Sequence, residues 1–208
     1  MSGKRVGTIV LICLMLLIMT GCSRPAATEP PETTPEETPG EEPPASEEPE
    51  PEAPTPPERT TLGGVSLGDD TARVQLMLGN NYAEEILPED PFYSQGTRIW
   101  AYPKGITVTF SLKSDRMVHL EVTAVDCATN LGVRVGDSAA DVLAEYRTVY
   151  EEYEGLHSDG AIPGWFRVEN GGLLIFDFDR EDGALANSDV GAEAVVEAIV
   201  LAQAADFD

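Results

Sequence analysis

Two histidines, three cysteines and one dense run of carboxylates are the residues of this 208-residue chain whose types could do chemistry. His119 stands between Val118 and Leu120, apolar positions of an alternating run, so on a strand it points to the opposite, outer face. No second ligand is spaced near it, and it reads as a solvated residue rather than part of a zinc site. His157 lies in Gly155-Leu156-His157-Ser158-Asp159, and a Ser, His and Asp this close in sequence rarely meet in triad geometry. Cys127 follows a strand-like run with no histidine nearby, the pattern of a small buried apolar residue rather than a nucleophile. The run Asp177-Phe178-Asp179-Arg180-Glu181-Asp182-Gly183 is similar to a calcium loop, but its glycine is one place late and position twelve is Ser188 rather than Glu. No zinc spacing, nucleophile elbow or phosphate loop occurs. The reading is therefore a non-enzymatic protein, with no catalytic residue, metal or cofactor assigned.

One cysteine carries a more specific signal. Lys4 and Arg5 precede an apolar run from Val6 to Met19, too short for a comfortable membrane span, which leads into Ile18-Met19-Thr20-Gly21-Cys22. This stretch resembles the lipobox of bacterial lipoproteins, with Met19 where Leu is usual. The resemblance implies a signal peptide over 1–21, acylation of Cys22 and attachment to the cell membrane on its extracytoplasmic face. Each buried methylene of such a chain contributes about 0.8 kcal/mol, so several chains on one cysteine suffice for stable anchoring. With Cys13 in the signal and Cys22 acylated, Cys127 has no intramolecular partner, and the fold must stand without a disulfide.

Residues 22–60 read as an acidic, disordered tether. From 23 to 60 there are twelve prolines and eleven glutamates and almost nothing apolar, so burial cannot offset the entropy of ordering. Extended at roughly 3.1 Å per residue, the tether reaches on the order of 100 Å from the bilayer. Beyond residue 60 the chain holds nine basic and twenty-six acidic residues, a net of minus 17. A field of that sign repels phosphate backbones and excludes nucleic acid as a partner.

The remainder is organised by a segment that occurs twice. Gly64-Val65-Ser66-Leu67-Gly68-Asp69-Asp70 precedes one helix-like stretch, and sixty-eight residues later Gly132-Val133-Arg134-Val135-Gly136-Asp137-Ser138 precedes another. At the same offset Ile106, Val108 and Phe110 fall on Leu174, Phe176 and Phe178. The first copy, 61–126, is expected to hold a short helix ending at Gly79, a loop from Asn80 to Gln95, and strands over 97–102, 106–113 and 117–125. The second, 127–208, is expected to hold a longer helix whose stripe runs from Val142 to Tyr153, then strands over 165–168, 172–179 and 194–201, the last placing Val196, Ala198 and Val200 on Val118, Leu120 and Val122. The fold class read from this is α+β: two repeats of a helix plus a three-stranded antiparallel sheet, either separate or fused into one continuous sheet with the helices on one face.

A Gly-Val-x-x-Gly-Asp turn before a helix, followed by three strands with a Tyr-Pro-x-Gly-Ile hairpin at Tyr102–Ile106, is similar to the SmpA/OmlA-type lipoprotein domain, and its tandem form is similar in architecture to the β-lactamase inhibitor proteins. The resemblance implies an envelope protein that binds or assembles other proteins. Leu173, Ile175, Val195, Ile199 and Leu201, with Trp100, Tyr102 and Met117, are read as an apolar outer face of the sheet. That face is covered either by 202–207 or 156–164, or by a partner, in which case Trp100, Tyr102, Ile175, Val195 and Ile199 form the interface. The function expected is a membrane-anchored protein-interaction or envelope-assembly module. The alternative is an envelope sensor or hydrolase-inhibitor domain that binds a small ligand or an enzyme.

Overall fold

Each Gly-Asp turn is closed by its own aspartate. Asp69 Oδ2 accepts the Ser66 amide at 2.9 Å, and Asp137 Oδ2 accepts the Arg134 amide at 2.8 Å. The glycine before each has a positive φ, 81° at Gly68 and 97° at Gly136, which a side chain disfavours. The following residue caps a helix: Asp70 Oδ1 accepts from the Arg73 amide and Ser138 Oγ from the Asp141 amide. These contacts come from a computed structural model that describes residues 57–89, 96–155 and 160–207.

The two helices are α1 (Thr71–Leu78) and α2 (Ala139–Tyr146). The strands are β1 (Ala83–Leu87), β2 (Thr97–Tyr102), β3 (Ile106–Ser111), β4 (Met117–Val122), β5 (Glu152–Glu154), β6 (Ala161–Val168), β7 (Gly172–Asp177) and β8 (Ala198–Gln203). All eight form one antiparallel sheet in the order β1-β2-β3-β4-β8-β7-β6-β5. Among the described residues no helix is long and apolar enough to cross a membrane.

The expected α+β class is therefore corrected: the protein is mainly β, a single eight-stranded sheet with two eight-residue helices. Two local effects cause the difference. First, α2 stops at Tyr146. Thr148 Oγ1 bonds back to the Glu145 carbonyl at 2.7 Å, and the Val149 and Tyr150 amides both turn onto the Tyr146 carbonyl, so the tyrosine stripe does not continue as helix. Second, each helix is followed by four strands, not three, because β1 and β5 add an outer strand to each end of the sheet.

The helices pack on one side of the sheet. Val74 of α1 and Val142, Leu143 and Tyr146 of α2 meet Val108, Phe110, Leu120, Phe166, Phe176 and Leu201 in one buried cluster. The far side carries a buried apolar cluster beneath the second run of strands. There Tyr153, Trp165, Leu173, Ile175, Val200 and Ala202 are covered by Ile162, Leu185, Ala204 and Phe207. The Phe207 ring meets Trp165 edge-on at 5.0 Å.

The Gly-Asp turns also set the register of β4 and β8. Gly68 donates to the Met117 carbonyl while Met117 donates to Asp69, and Gly136 and Asp137 make the same pair of bonds to Val196. After each docking residue the chain slips by one. In β4 the pairing shifts between Phe110↔Met117 and Thr109↔His119, so Val118 bulges and Met117, Leu120 and Val122 share the helix side. Val196, Ile199 and Leu201 do likewise. The expected match of Val196, Ala198 and Val200 to Val118, Leu120 and Val122 is off by one residue, and a one-residue slip exchanges the faces of a strand.

The segment entering the fold is pinned to both halves. Arg59 pairs with Asp69 at 2.6 Å, and Thr60 donates from its amide and hydroxyl to the two carboxylate oxygens of Glu169 at 2.7 and 2.8 Å.

Candidate functional site

The residues expected to form one interface are divided between the two faces of the sheet, Ile199 by the slip that leads into β8. Trp100 is 2% exposed on the helix side, stacked on Tyr82 with ring centroids 4.1 Å apart, its indole donating to Glu84. Tyr102 is buried beside it and donates to the Gly79 carbonyl at 3.1 Å; burial, reinforced by the charge of Tyr82, pushes its hydroxyl up to about 12. Ile199 is fully buried on the helix side, and Ile175 is fully buried on the far side. Only Val195 is exposed. The five residues thus do not share a surface, and the grouping is corrected: four of them are core, divided between the two faces. Cys22 and His157 lie outside the described residues. Cys127 is 6% exposed; burial, with the charge of Asp126, pushes its thiol up to about 11, where little thiolate forms.

His119 lies on the outer face as the alternation implies, yet it is not a free surface residue. Paired with Thr109 and Ala202 across the sheet, it sits with Glu121, Asp177, Arg180, Leu185 and Val200 around a cleft of about 260 Å³. Burial holds the imidazole below its ordinary value against the opposing pull of Glu121. Asp177, at the end of β7, is 4% exposed, and burial raises its carboxyl although Oδ1 accepts the Asp179 amide at 3.0 Å. Arg180 closes the rim, its amide bonded to Glu197 at 2.9 Å and its guanidinium to Glu121 at 3.2 Å.

The carboxylates of the 177–183 run are used locally. Asp179 caps the short turn Arg180–Asp182 by accepting from Glu181, and Asp182 accepts from Ala184 at 2.7 Å. They bind their own backbone instead of converging on one point, and among the described residues no group of three or more His, Cys, Asp or Glu side chains is placed to hold a metal ion. The cleft presents a neutral imidazole, carboxylate acceptors and one guanidinium over an apolar floor. Such a set hydrogen-bonds a small polar molecule.

The two ends of the sheet differ. β5 is three residues long with its register broken between Glu152 and Glu154; its Tyr153 is buried, the Arg167 guanidinium lies 4.5 Å over that ring, and Arg147 binds Glu152 at 2.9 Å. β1 pairs with β2 in unbroken register over five residues, and its side chains are exposed except at half-buried Leu87. Glu84 and Ile86 lie on the helix side, opposite Trp100 and Arg98; Glu85 lies on the far side, opposite Ile99. Nothing in the sequence alternation marks Ala83–Leu87 as a strand: Ala and Glu are weak strand formers, and a fully exposed strand has no apolar face to show.

Comparison with known proteins assigns no family. No family model matches the chain, and no curated protein matches it. Among solved structures, the crystal structure of the uncharacterized protein yfeY from Escherichia coli aligns over 68% of this chain and 95% of its own, at 10% identity and a TM-score of 0.38, a likeness too weak to carry an argument.

Proposed function

We propose that this protein is an acylated extracytoplasmic lipoprotein whose β-sheet domain is a non-enzymatic binding module, held off the membrane by an acidic tether. One observation carries the reading: a basic start, an apolar run and Ile18-Met19-Thr20-Gly21-Cys22 occur in order, followed at once by a Pro- and Glu-rich stretch. Binding rather than catalysis is supported by the chemistry of the domain, where Cys127 is held as a buried thiol. Expressed in a bacterium, the full chain should partition into the detergent phase and incorporate labelled palmitate, and Cys22→Ala should do neither. Equal partitioning of the variant would remove the anchor from the proposal. The binding half is tested by capture from native envelope extract with the full chain in detergent; no stoichiometric partner in repeated captures would overturn it. A second reading, a sensor for a small polar ligand, is favoured by the His119–Asp177 cleft. It expects Asp177→Ala to abolish a ligand-induced rise in melting temperature.

A further inference from the structure

Of the two ends of the sheet, one is closed and one is open. Native sheets guard their outer strands by keeping them short, breaking their register or covering them, because a row of unpaired amides and carbonyls is a template for another strand. β5 shows two of these devices, three residues and a register break, and its side chains are engaged besides, Glu152 by Arg147 and Tyr153 by Arg167. β1 shows none. It is five residues long and regular, and among the described residues it is paired on one side only. It also exposes an aliphatic side chain, Ile86, 51% accessible. Among the described residues its guard is charge, from Glu84 and Glu85.

Charge also selects the occupant. Glu84 is engaged by the Trp100 indole and by Arg98 at 3.6 Å, whereas Glu85, on the other face, has no ion pair among the described residues. The domain beyond residue 60 carries nine basic against twenty-six acidic residues, so a second copy of this chain would bring like charge to like charge. A cationic strand would meet the opposite field. Side chains directly opposite on neighbouring strands lie on the same face. A strand added beside β1 therefore places one residue against Glu84 on the helix side, the next against Glu85 on the far side, and an apolar one against Ile86.

We infer that β1 is the docking edge of this protein, where an extended segment of a partner protein, two consecutive basic residues within an apolar run, adds as a ninth strand. The inference rests on the reading of the domain as a binding module and names the partner's chemistry. Main-chain hydrogen bonds supply affinity in such additions, and the alternating side-chain contacts supply specificity.

The probe is a synthetic heptapeptide of valines and threonines around two central lysines, with a glutamate-for-lysine peptide as control, added to the full chain in detergent micelles. Amide hydrogen exchange should slow by roughly tenfold or more over Ala83–Leu87 and nowhere else, with binding that weakens as salt is raised. Glu85→Lys should weaken binding by about tenfold or more, since it turns an attraction into a repulsion, while Glu154→Lys at the closed edge leaves it unchanged. Glu85 is exposed, so an unaltered melting temperature shows that the variant is folded. Slowed exchange elsewhere or nowhere, equal binding of the control peptide, or full binding by Glu85→Lys would each overturn the inference. If the full chain captures an envelope partner that Glu85→Lys captures equally well, the docking edge is wrong and the binding-module reading stands. If neither captures one, it is the reading itself that fails.

Discussion

Trp100 is held by three different contacts at once: a parallel stack on Tyr82, an edge contact with Phe110 at 4.6 Å, and a hydrogen bond to Glu84. Truncating it to Ala removes a buried aromatic and leaves the exposed-side carboxylate without its donor. The expected cost is about 3–5 kcal/mol, read as a lowered urea midpoint, with loss of folding as the extreme result. A variant with wild-type stability would mean that Trp100 is on the surface after all. His119 and Asp177 face the same cleft and have opposite linkages to pH. The folded imidazole takes up a proton at lower pH than the unfolded one, so its contribution is complete above its ordinary 6.5, begins to be lost below that value and is gone once pH has fallen through the lower folded one. The folded Asp177 carboxyl takes up a proton at higher pH than its ordinary 3.8, so its burial costs stability at neutral pH and the cost is relieved on acidification. His119→Gln should therefore flatten the fall in melting temperature between pH 7 and pH 5. Asp177→Asn, whose amide oxygen can still accept from Asp179, should raise it at pH 7 by about 2–4 °C. A wild-type pH profile in both variants would remove the cleft from the electrostatics of the fold.

At the scale of elements, what could be read in the sequence was whatever a periodic apolar face or a turn residue writes into it. The Gly-Asp turns, α1, and the strands around Val108, Leu120 and Phe176 all carry such marks, and the structure places them where the pattern implies. β1 carries none, because an outer strand whose residues are solvated needs no alternation, and β5, three residues around the buried Tyr153, is too short to show one. The α2 boundary was hidden for a different reason. Tyr146, Tyr150 and Tyr153 have helical spacing, but Tyr150 stacks back on Tyr146 within the helix-side cluster while Tyr153 crosses to the far side on β5, so the same spacing arises from a chain reversal. The interface expected around Trp100 and Ile199 failed for two reasons: Trp100 pairs in unbroken register with Val108 and so shares its helix side, and Ile199 is turned to that side by the slip after Val196, which no composition signal announces. The long loop after β7 has its own fastening. Asn187 donates to the Pro163 and Phe176 carbonyls, both at 2.8 Å, and accepts the Phe178 amide at 3.0 Å, bridging β6 and β7 beyond their last backbone pair, Trp165↔Ile175. Asn187→Ala leaves three partly buried backbone groups unpaired, and the expected cost is about 2–3 kcal/mol with accelerated hydrogen exchange confined to the end of β7 and the loop that follows. Asn187→Asp keeps the acceptor for Phe178 but sets a carboxylate oxygen against the Pro163 and Phe176 carbonyls, so it should cost at least as much as Asn187→Ala; stability close to wild type in the Asp variant would mean that packing, not the amide donor, holds the loop.

For the whole molecule the decisive contact is the seam between β4 and β8, where Leu120 faces Leu201 and Val122 faces Ile199, all at most 1% exposed. Each half is a helix and a four-stranded meander of some seventy residues, a size at which one core is marginal by itself. Separating the halves would expose β4 and β8 as long apolar edges, the configuration that sheets avoid. The entering segment adds a second tie, since Arg59 binds Asp69 in one half and Thr60 binds Glu169 in the other, while Leu62 bridges to Thr129 in the connection between them. Internal similarity at an offset of sixty-eight therefore does not imply two independent domains. Expressed separately, residues 57–130 and 131–208 should each lack a cooperative melting transition, and mixed from denaturant they should form a one-to-one complex with a single transition. The entering segment should strengthen that complex: Thr60→Ala in the first fragment removes one of two bonds to Glu169 and should weaken association severalfold, whereas Arg73→Ala on the exposed face of α1 should not. If either fragment melts cooperatively alone, the sheet is two docked domains, and the β4–β8 seam is an interface rather than the centre of one core.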